Sequence, residues 1–514
     1  QDGQPVIVSA GGSIDGSGLF LPKSAQIQAG ENVQNISFIV QNLNATDTTS
    51  IVAGKNITNT GAKVAGPGQV VLQAGGDIDL GSGFGVTTTG NLTNLLLPEQ
   101  GADITVLAGV GQGATATQAF IEKYINPGAG KTFGADLIAY VSDHWADLRG
   151  TVGVQTLPKD MTTAQAVTYF GKLSQPLRDA FVGKTYGGEL IAFVEKYGAA
   201  KGLTAAQAFS YFGTLSQPLQ DAFAKQVFFN ELKETGRITS TSGNYSAGFD
   251  AIATLFPSAS YKGDINLYAS QIKTVRGGNI NLFAPGGGVN AGLANPPATT
   301  TGIVKTAAEL GIVTVKGGDV NAYVNNDFMV NQSRVFTLQG GNILMWSSQG
   351  NIDAGKGSKT VSSTPTPLLV VDPKTGAFDV DVTQSVVGSG IRVLLANKDV
   401  VPGTVDLYAP TGEINAGDAG IGAAGNIFLG ATRVVGADNI NFGGTSVGVP
   451  VAAPAPVSIS GINMQEASNV AEDATQGLGN VSDMEKIKEN LASFKPSFLS
   501  VEVVGLGDEE MEKQ

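Results

Sequence analysis

Gly444-Thr445-Ser446-Val447-Gly448 has the letters of a nucleophile elbow, in which a serine on a tight strand-to-helix turn attacks an acyl carbon. Its setting argues against that chemistry, because Val449, Pro450 and a Pro/Ala-rich linker follow where a helix is needed. The one histidine, His144, lies far along the chain in a stretch of helical periodicity. It reads as a surface or helix-packing residue rather than a base or metal ligand. Gly130-Lys131-Thr132 has the letters that close a phosphate-binding loop, but Ile125 stands where the first glycine belongs, which leaves a turn before a helix. Asp77 and Asp79, like Asp379 and Asp381, fall on one face of a strand. Calcium is the ion such pairs would take, yet its Gly-Gly-x-Gly-x-Asp repeat is missing, and solvated faces or Asn/Asp corner turns account for them. The chain has no cysteine, which removes disulfides, thiolate zinc sites and cysteine nucleophiles together. The expectation is a non-enzyme with no catalytic, cofactor-binding or metal residues.

Phe283, Trp346 and Tyr408 have more substance. They hold one position in a repeated motif, GNINLFAPGGGVNAG at 278–292, GNILMWSSQGNIDAG at 341–355 and GTVDLYAPTGEINAG at 403–417. Strand alternation points them outward, opposite Ile280, Ile343 and Val405. With three coils between copies at ~4.8 Å per coil, the rings would stand ~14 Å apart along one face. Such a ladder could contact a glycan or grip a partner. Alternatively, loop excursions and the helical segment fold down over it as a second small core.

The elements that position these rings follow from the motif itself. In Asn279-Ile280-Asn281-Leu282-Phe283-Ala284 the residues Ile280, Leu282 and Ala284 share an inward face, and glycines allow a corner before the next short strand. A landmark of the form Gly-x-[Asn/Asp]-[Ile/Val] recurs at Val33, Ile57, Ile78 and Ile104, at intervals that suit one coil each. With 70 glycines and only 15% charged residues, the composition fits many short strands with glycine corners. The fold class is mainly β, a right-handed parallel β-helix (solenoid) with an inserted α-helical bundle, the hand being taken from the usual crossover preference.

Four segments are expected. Residues 1–113 are N-terminal β-helix coils. Residues 114–240 form the inserted helical domain, where TTAQAVTYFGKLSQPLRDAF (162–181) returns as TAAQAFSYFGTLSQPLQDAF (204–223). Each copy reads as an αα-hairpin, with Thr163 or Thr204 capping one helix and Ser174 or Ser216 the next, and the two halves are expected to pack on each other. Residues 241–448 resume the coils, with a loop at 293–309 and a β-hairpin around Pro373-Lys374-Thr375-Gly376. Residues 449–514 are a Pro-rich linker, a helix over 483–494, a strand over 498–504 and an acidic end, together a C-terminal cap or tail.

The net charge of −13 and the absence of a basic run exclude a nucleic-acid partner. No apolar run reaches the ~20 residues needed to cross a bilayer. The chain opens on Gln1-Asp2-Gly3, in the middle of the pattern, and reads as a piece processed from a longer precursor.

The run from Tyr261 to Gly292, together with Val330–Phe336, Gly341–Gly355 and Gly412–Gly422, resembles the C-terminal domain of filamentous-haemagglutinin-like large exoproteins, the two-partner-secretion adhesins. Phe228–Leu232 and Gly248–Pro257 fit it too. The resemblance implies a Gram-negative exoprotein, exported by an outer-membrane transporter and placed outside the cell or on its surface. It implies a role in adhesion, aggregation or biofilm, with host or neighbouring-cell surfaces or glycans as partners. Beside this adhesin or extracellular fibre stand two alternatives. One is a self-polymerising filament subunit joined through β-helix ends or the C-terminal tail. The other is a β-helical polysaccharide lyase or hydrolase, which the scarcity of charge in the motif strands weakens.

Overall fold

The computed structural model describes residues 3–450 except 112–114, 128–133, much of 154–185, 240–242, 259, 294–309, 358–360, 363–367, 372–377, 382–385 and 396–399. The first eight coils are each built of a strand of about five or six residues, a two-residue strand and a third strand, as in Ala25–Ala29, Val33–Gln34 and Ser37–Gln41, and in the last two the first two strands merge into Val405–Asn415 and Ile427–Val435. Among the described residues the third strands of successive coils form one ten-stranded parallel sheet, so ten coils stack. Register is strict: Val33 lies on Ile57, Ile57 on Ile78, Ile78 on Ile265 and Ile265 on Val289. These inward residues join those of the other two faces in one buried apolar column running the length of the stack.

The Gly-x-[Asn/Asp]-[Ile/Val] landmark has a direct physical cause. At each corner the Asn or Asp side chain accepts a hydrogen bond from the backbone N–H of the equivalent residue one coil on. One column runs from Asn32 Oδ1 to Asn56 N (3.1 Å), Asn56 Oδ1 to Asp77 N (2.8 Å), Asp77 Oδ1 to Asp264 N (2.9 Å) and Asp264 Oδ1 to Gly288 N (2.7 Å). A second runs from Asp103 through Asn279, Asp319 and Asn342 to Thr404, at 2.7–2.9 Å. Each pairing satisfies a corner N–H that the strand ladders leave out. The neighbouring glycines are as tightly determined. Gly341, with φ +96°, packs its Cα on the carbonyl of Gly318, and a Cβ there would overlap that oxygen.

Two intervals differ from the expected spacing. Ile104 is not on the face of Val33, Ile57 and Ile78; it belongs to the long strand Asp103–Leu107, between Val70 and Ile280. The motif copies are also closer than three coils. Ile280 pairs with Val320 and Val320 with Ile343, while Ile343 pairs directly with Val405. The 62 residues between the last two copies add only one rung, because the eighth coil carries an excursion between Ile352–Asp353 and Gly390–Val393. That excursion holds the antiparallel pair Leu368–Val371 with Phe378–Asp381, and a second pair, Val361–Ser362 with Val386–Val387.

The helices enter at one corner of the fifth coil, between Asp103–Leu107 and Ile265–Asn266. They include Gly134–Asp143, Trp145–Val152, Tyr186–Lys196, Ala205–Phe212, Gln217–Thr239 and Ser246–Leu255. The last lies past residue 240, where coils were expected to resume. Thr204 forms a full capping box with Gln207. Among the described residues the duplicated units do not share one core. Leu173 and Tyr169 of the first copy pack with Tyr140, Trp145 and Leu148, whereas Phe212 and Phe223 of the second pack towards the β-helix. Thr163, the loop at 294–309, the connection at 372–377 and everything expected of 451–514 lie outside the described residues.

Candidate functional site

Outward positions on the long strands form two parallel columns, set two residues apart by alternation. The first is aromatic. Phe283 lies on Tyr323, Tyr323 on Trp346 and Trp346 on Tyr408, four rings on four consecutive coils. Tyr323 completes the ladder; it was missed because its coil lacks the Ala-Gly end of the motif. Phe283, Trp346 and Tyr408 do point outward from the stack, but all three are fully buried, covered by the helical domain. Phe229 lies 4.9 Å from Phe283, Phe228 5.5 Å from Tyr323, and Tyr245 5.7 Å and Phe249 5.8 Å from Trp346. The rings meet mainly tilted or edge to face, which suits their quadrupoles. In this arrangement they face the second core rather than an external ligand.

Two helical glycines make room for the ladder. Trp346 lies against Gly248 and Tyr408 against Gly236, where a Cβ would overlap the rings. Gly236 sits inside a 23-residue helix, where glycine costs about 1 kcal/mol relative to alanine. Gly236→Ala should nevertheless lower stability by about 1–3 kcal/mol through overpacking. The check is the urea midpoint followed by far-UV circular dichroism, where an unchanged or raised midpoint would refute the close fit.

An ion pair fixes the same helix to the ninth coil. Arg237 donates from Nε to Asp406 Oδ1 (2.7 Å) and from Nη2 to Oδ2 (2.9 Å). Tyr408 and Thr404 hydroxyls also donate to this carboxylate, which is 1% exposed. Burial works to lower the Arg237 pKa, but the hydrogen bond and charge of Asp406 outweigh it, and the pKa is raised. The guanidinium also lies 4.5 Å over the Phe428 ring. Burial and the Asp406 carboxylate together push the Tyr408 hydroxyl well above its ordinary pKa.

The second outward column is polar: Thr105, Asn281, Asn321, then Leu344 and Asp406. Asn321 Nδ2 donates to Asn281 Oδ1 at 3.0 Å. This column floors a cavity of about 450 Å³ roofed by helices Tyr186–Lys196 and Gln217–Thr239. Asn230 Nδ2 donates to Glu189 Oε2 at 2.9 Å and ties the two roof helices together, while Lys233 Nζ donates to Asn230 Oδ1 at 3.1 Å within the second of them. Burial raises the pKa of Glu189 and of Asp103. These residues went unnoticed in the sequence because Asn and Asp on an outward strand face read as solvated. The available signal was their fixed place two residues before the aromatic, as in Asn281-Leu282-Phe283 and Asp406-Leu407-Tyr408.

The other candidates are not brought together as a site. Ser446 lies in a strand paired with Ile427–Phe428, with no helix after it among the described residues. His144 precedes a helix, its Nδ1 2.9 Å from the Tyr140 carbonyl and its ring 4.2 Å from that of Tyr140. Asp77 and Asp79 serve corners; Asp79 Oδ1 accepts from Gly81 N at 2.9 Å. Asp379 and Asp381 lie in the excursion hairpin, opposite Val370 and Leu368. Gly130, Lys131 and Thr132 are outside the described residues. Among the described residues there is no cluster of three acidic or histidine side chains suited to a metal ion, and no helix long and apolar enough to cross a membrane.

Stacked parallel coils with a helical domain seated on one face define a β-helical solenoid protein. Residues 340–451, from the start of the eighth coil onward, match the family model described as filamentous haemagglutinin family outer membrane protein. The resemblance drawn from the repeated motifs holds over this C-terminal region. No curated protein and no solved structure matches the chain.

Proposed function

We propose that the protein is an adhesin-like surface protein, secreted or held at the cell surface, in which the β-helix is a stalk and the helical domain a presented head. The observation that carries this reading is the mode of attachment. The helices are seated by a four-ring ladder and the Arg237–Asp406 pair, so the head is held by packing and not only by its two chain connections. Such a mount transmits force along many contacts, as a contact module needs. The family match over residues 340–451 supports a surface role in general. Its partners on this reading are host or neighbouring-cell surfaces, including their glycans.

Beads coated with the purified chain test the reading. They should adhere saturably to epithelial or bacterial cells and be displaced by soluble chain. Antibodies against the exposed surface around helix Ala205–Phe212 should block adherence more than antibodies against the first three coils. Adherence no greater than that of albumin-coated beads on every cell type would reject it. Sedimentation velocity separates the filament alternative, which requires concentration-dependent polymers where a stalk and head stay monomeric.

A further inference from the structure

The cavity beside the aromatic ladder contains a cation that the fold itself does not explain. Lys225, on the roof helix Gln217–Thr239, is 8% exposed and lines the cavity. Among the described residues its ammonium makes no hydrogen bond or ion pair. The side chain is buried while its ammonium opens into the cavity, and burial lowers the Lys225 pKa, with Asp221 opposing that shift only through space. Lys196 and Lys233 line the same cavity.

The rest of the lining restricts what anion would enter. Asp103, Glu189 and Asp319 also face the cavity, so a dianion such as sulfate or phosphate would meet nearby carboxylates. Asp103 and Asp319 already accept backbone N–H groups at 2.7 Å and retain acceptor capacity. The Asn281–Asn321 pair uses one donor and one acceptor on each other, and the remaining amide donors and acceptors form no other hydrogen bond among the described residues. Phe193, Tyr197 and Phe229 contribute aromatic surface at one side. Amides on two successive coils with carboxylates at the neighbouring corners suit a row of hydroxyls, and the Lys225 ammonium suits one carboxylate. The volume falls within the range of small-ligand sites, roughly 300–1,000 Å³.

We propose that this cavity binds a carboxylated sugar unit of an acidic glycan. Its carboxylate pairs with Lys225, and its hydroxyls bond the Asn281–Asn321 floor and the acidic rim. The aromatic ladder proper plays no part in contact; it positions the roof over the floor. The assignment rests on the adhesin reading only for the use to which binding is put.

Isothermal titration of the full chain with trigalacturonate, its methyl-esterified form and inorganic sulfate tests this. Trigalacturonate should bind, and esterification, which removes the charge but keeps the ring hydroxyls, should weaken binding at least tenfold. Lys225→Met should cause a similar loss while keeping or raising the urea midpoint, since it removes a charge that burial disfavours. Asn281→Leu should weaken binding through the floor alone, with the fold checked by circular dichroism. Equal binding of acid and ester, full binding by Lys225→Met, tighter binding of sulfate, or no binding of trigalacturonate at millimolar concentration would each overturn the proposal. Bead adherence by the parent chain separates the two readings. Adherence by a parent chain that binds no trigalacturonate leaves the adhesin reading standing and removes this one, whereas trigalacturonate binding that Lys225→Met abolishes, in a chain that adheres to no cell, does the reverse.

Discussion

Trp346→Ala is expected to lower stability by about 3–5 kcal/mol and to release the helical domain from its seat, because truncating a buried aromatic removes its burial and leaves a cavity. Trp346 is fully buried on one rung of the ladder, with Tyr408 6.0 Å below it and Tyr245 and Phe249 edge-on above. Its Nε1 also donates to Ser348 Oγ at 3.2 Å. Collapse around the gap is restricted on the strand side, where the backbone is held by parallel ladders to the seventh and ninth coils. The relaxation therefore falls on the helices. Hydrogen exchange should report lost protection in Ser246–Leu255 and the C-terminal half of Gln217–Thr239, with the first four coils unaffected. A solenoid can lose one region before another, so local exchange is a better measure than a single melting temperature. Uniform loss of protection in all coils would mean that the ladder supports the stack itself; loss confined to the helices means that it only seats them.

How far the fold was legible follows from which interactions are local. Alternation in Ile280-Asn281-Leu282-Phe283 fixes inward and outward faces within a few residues, so the β-helix and the direction of Phe283, Trp346 and Tyr408 could be read directly. The nine-residue step from Ile280 to Val289 spans one corner, and the structure keeps it as long strand to two-residue strand. Register between coils is different. It depends on how many residues leave the stack, and the excursion after Ile352–Asp353 lengthens the chain without adding a rung. Equal spacing in sequence, 63 and 62 residues, thus corresponds to two rungs and one.

The duplication shows the same limit. Tyr169 and Tyr211 are equivalent in sequence, but the first packs with Trp145 and the second with the large aromatic core, because similar sequences take whatever apolar surface lies beside them. The cavity was the least legible part. Its floor looks like solvated strand until the roof is placed, and the roof is placed by helices whose docking no local pattern states. Lys225 sits within Asp221-Ala222-Phe223-Ala224-Lys225, where its neighbours mark it only as one residue of an amphipathic turn.

Arg237→Met should be nearly as damaging as the loss of Trp346, and for an electrostatic reason. Asp406 is 1% exposed; without the guanidinium it keeps, among the described residues, only the Tyr408 and Thr404 hydroxyls as side-chain donors. Removing one partner of a buried pair costs about 3–5 kcal/mol, chiefly because the other charge stays behind unpaired. Methionine preserves much of the side-chain length over Phe428, which separates the charge from the packing. Asp406→Leu is the informative partner: Arg237 is 29% exposed on its side chain, so its charge can turn to water more readily than the carboxylate can. The double variant Arg237→Met/Asp406→Leu should therefore recover most of the stability lost in Arg237→Met, since neither charge is then buried. Urea midpoints of the three variants and the parent, with exchange protection in Gln217–Thr239, give the coupling directly. Recovery in the double variant identifies the stranded carboxylate as the source of the loss. A double variant no more stable than Arg237→Met alone would place it instead in the contact between Arg237 and the Phe428 ring, and the ion pair would then orient the head without holding it down.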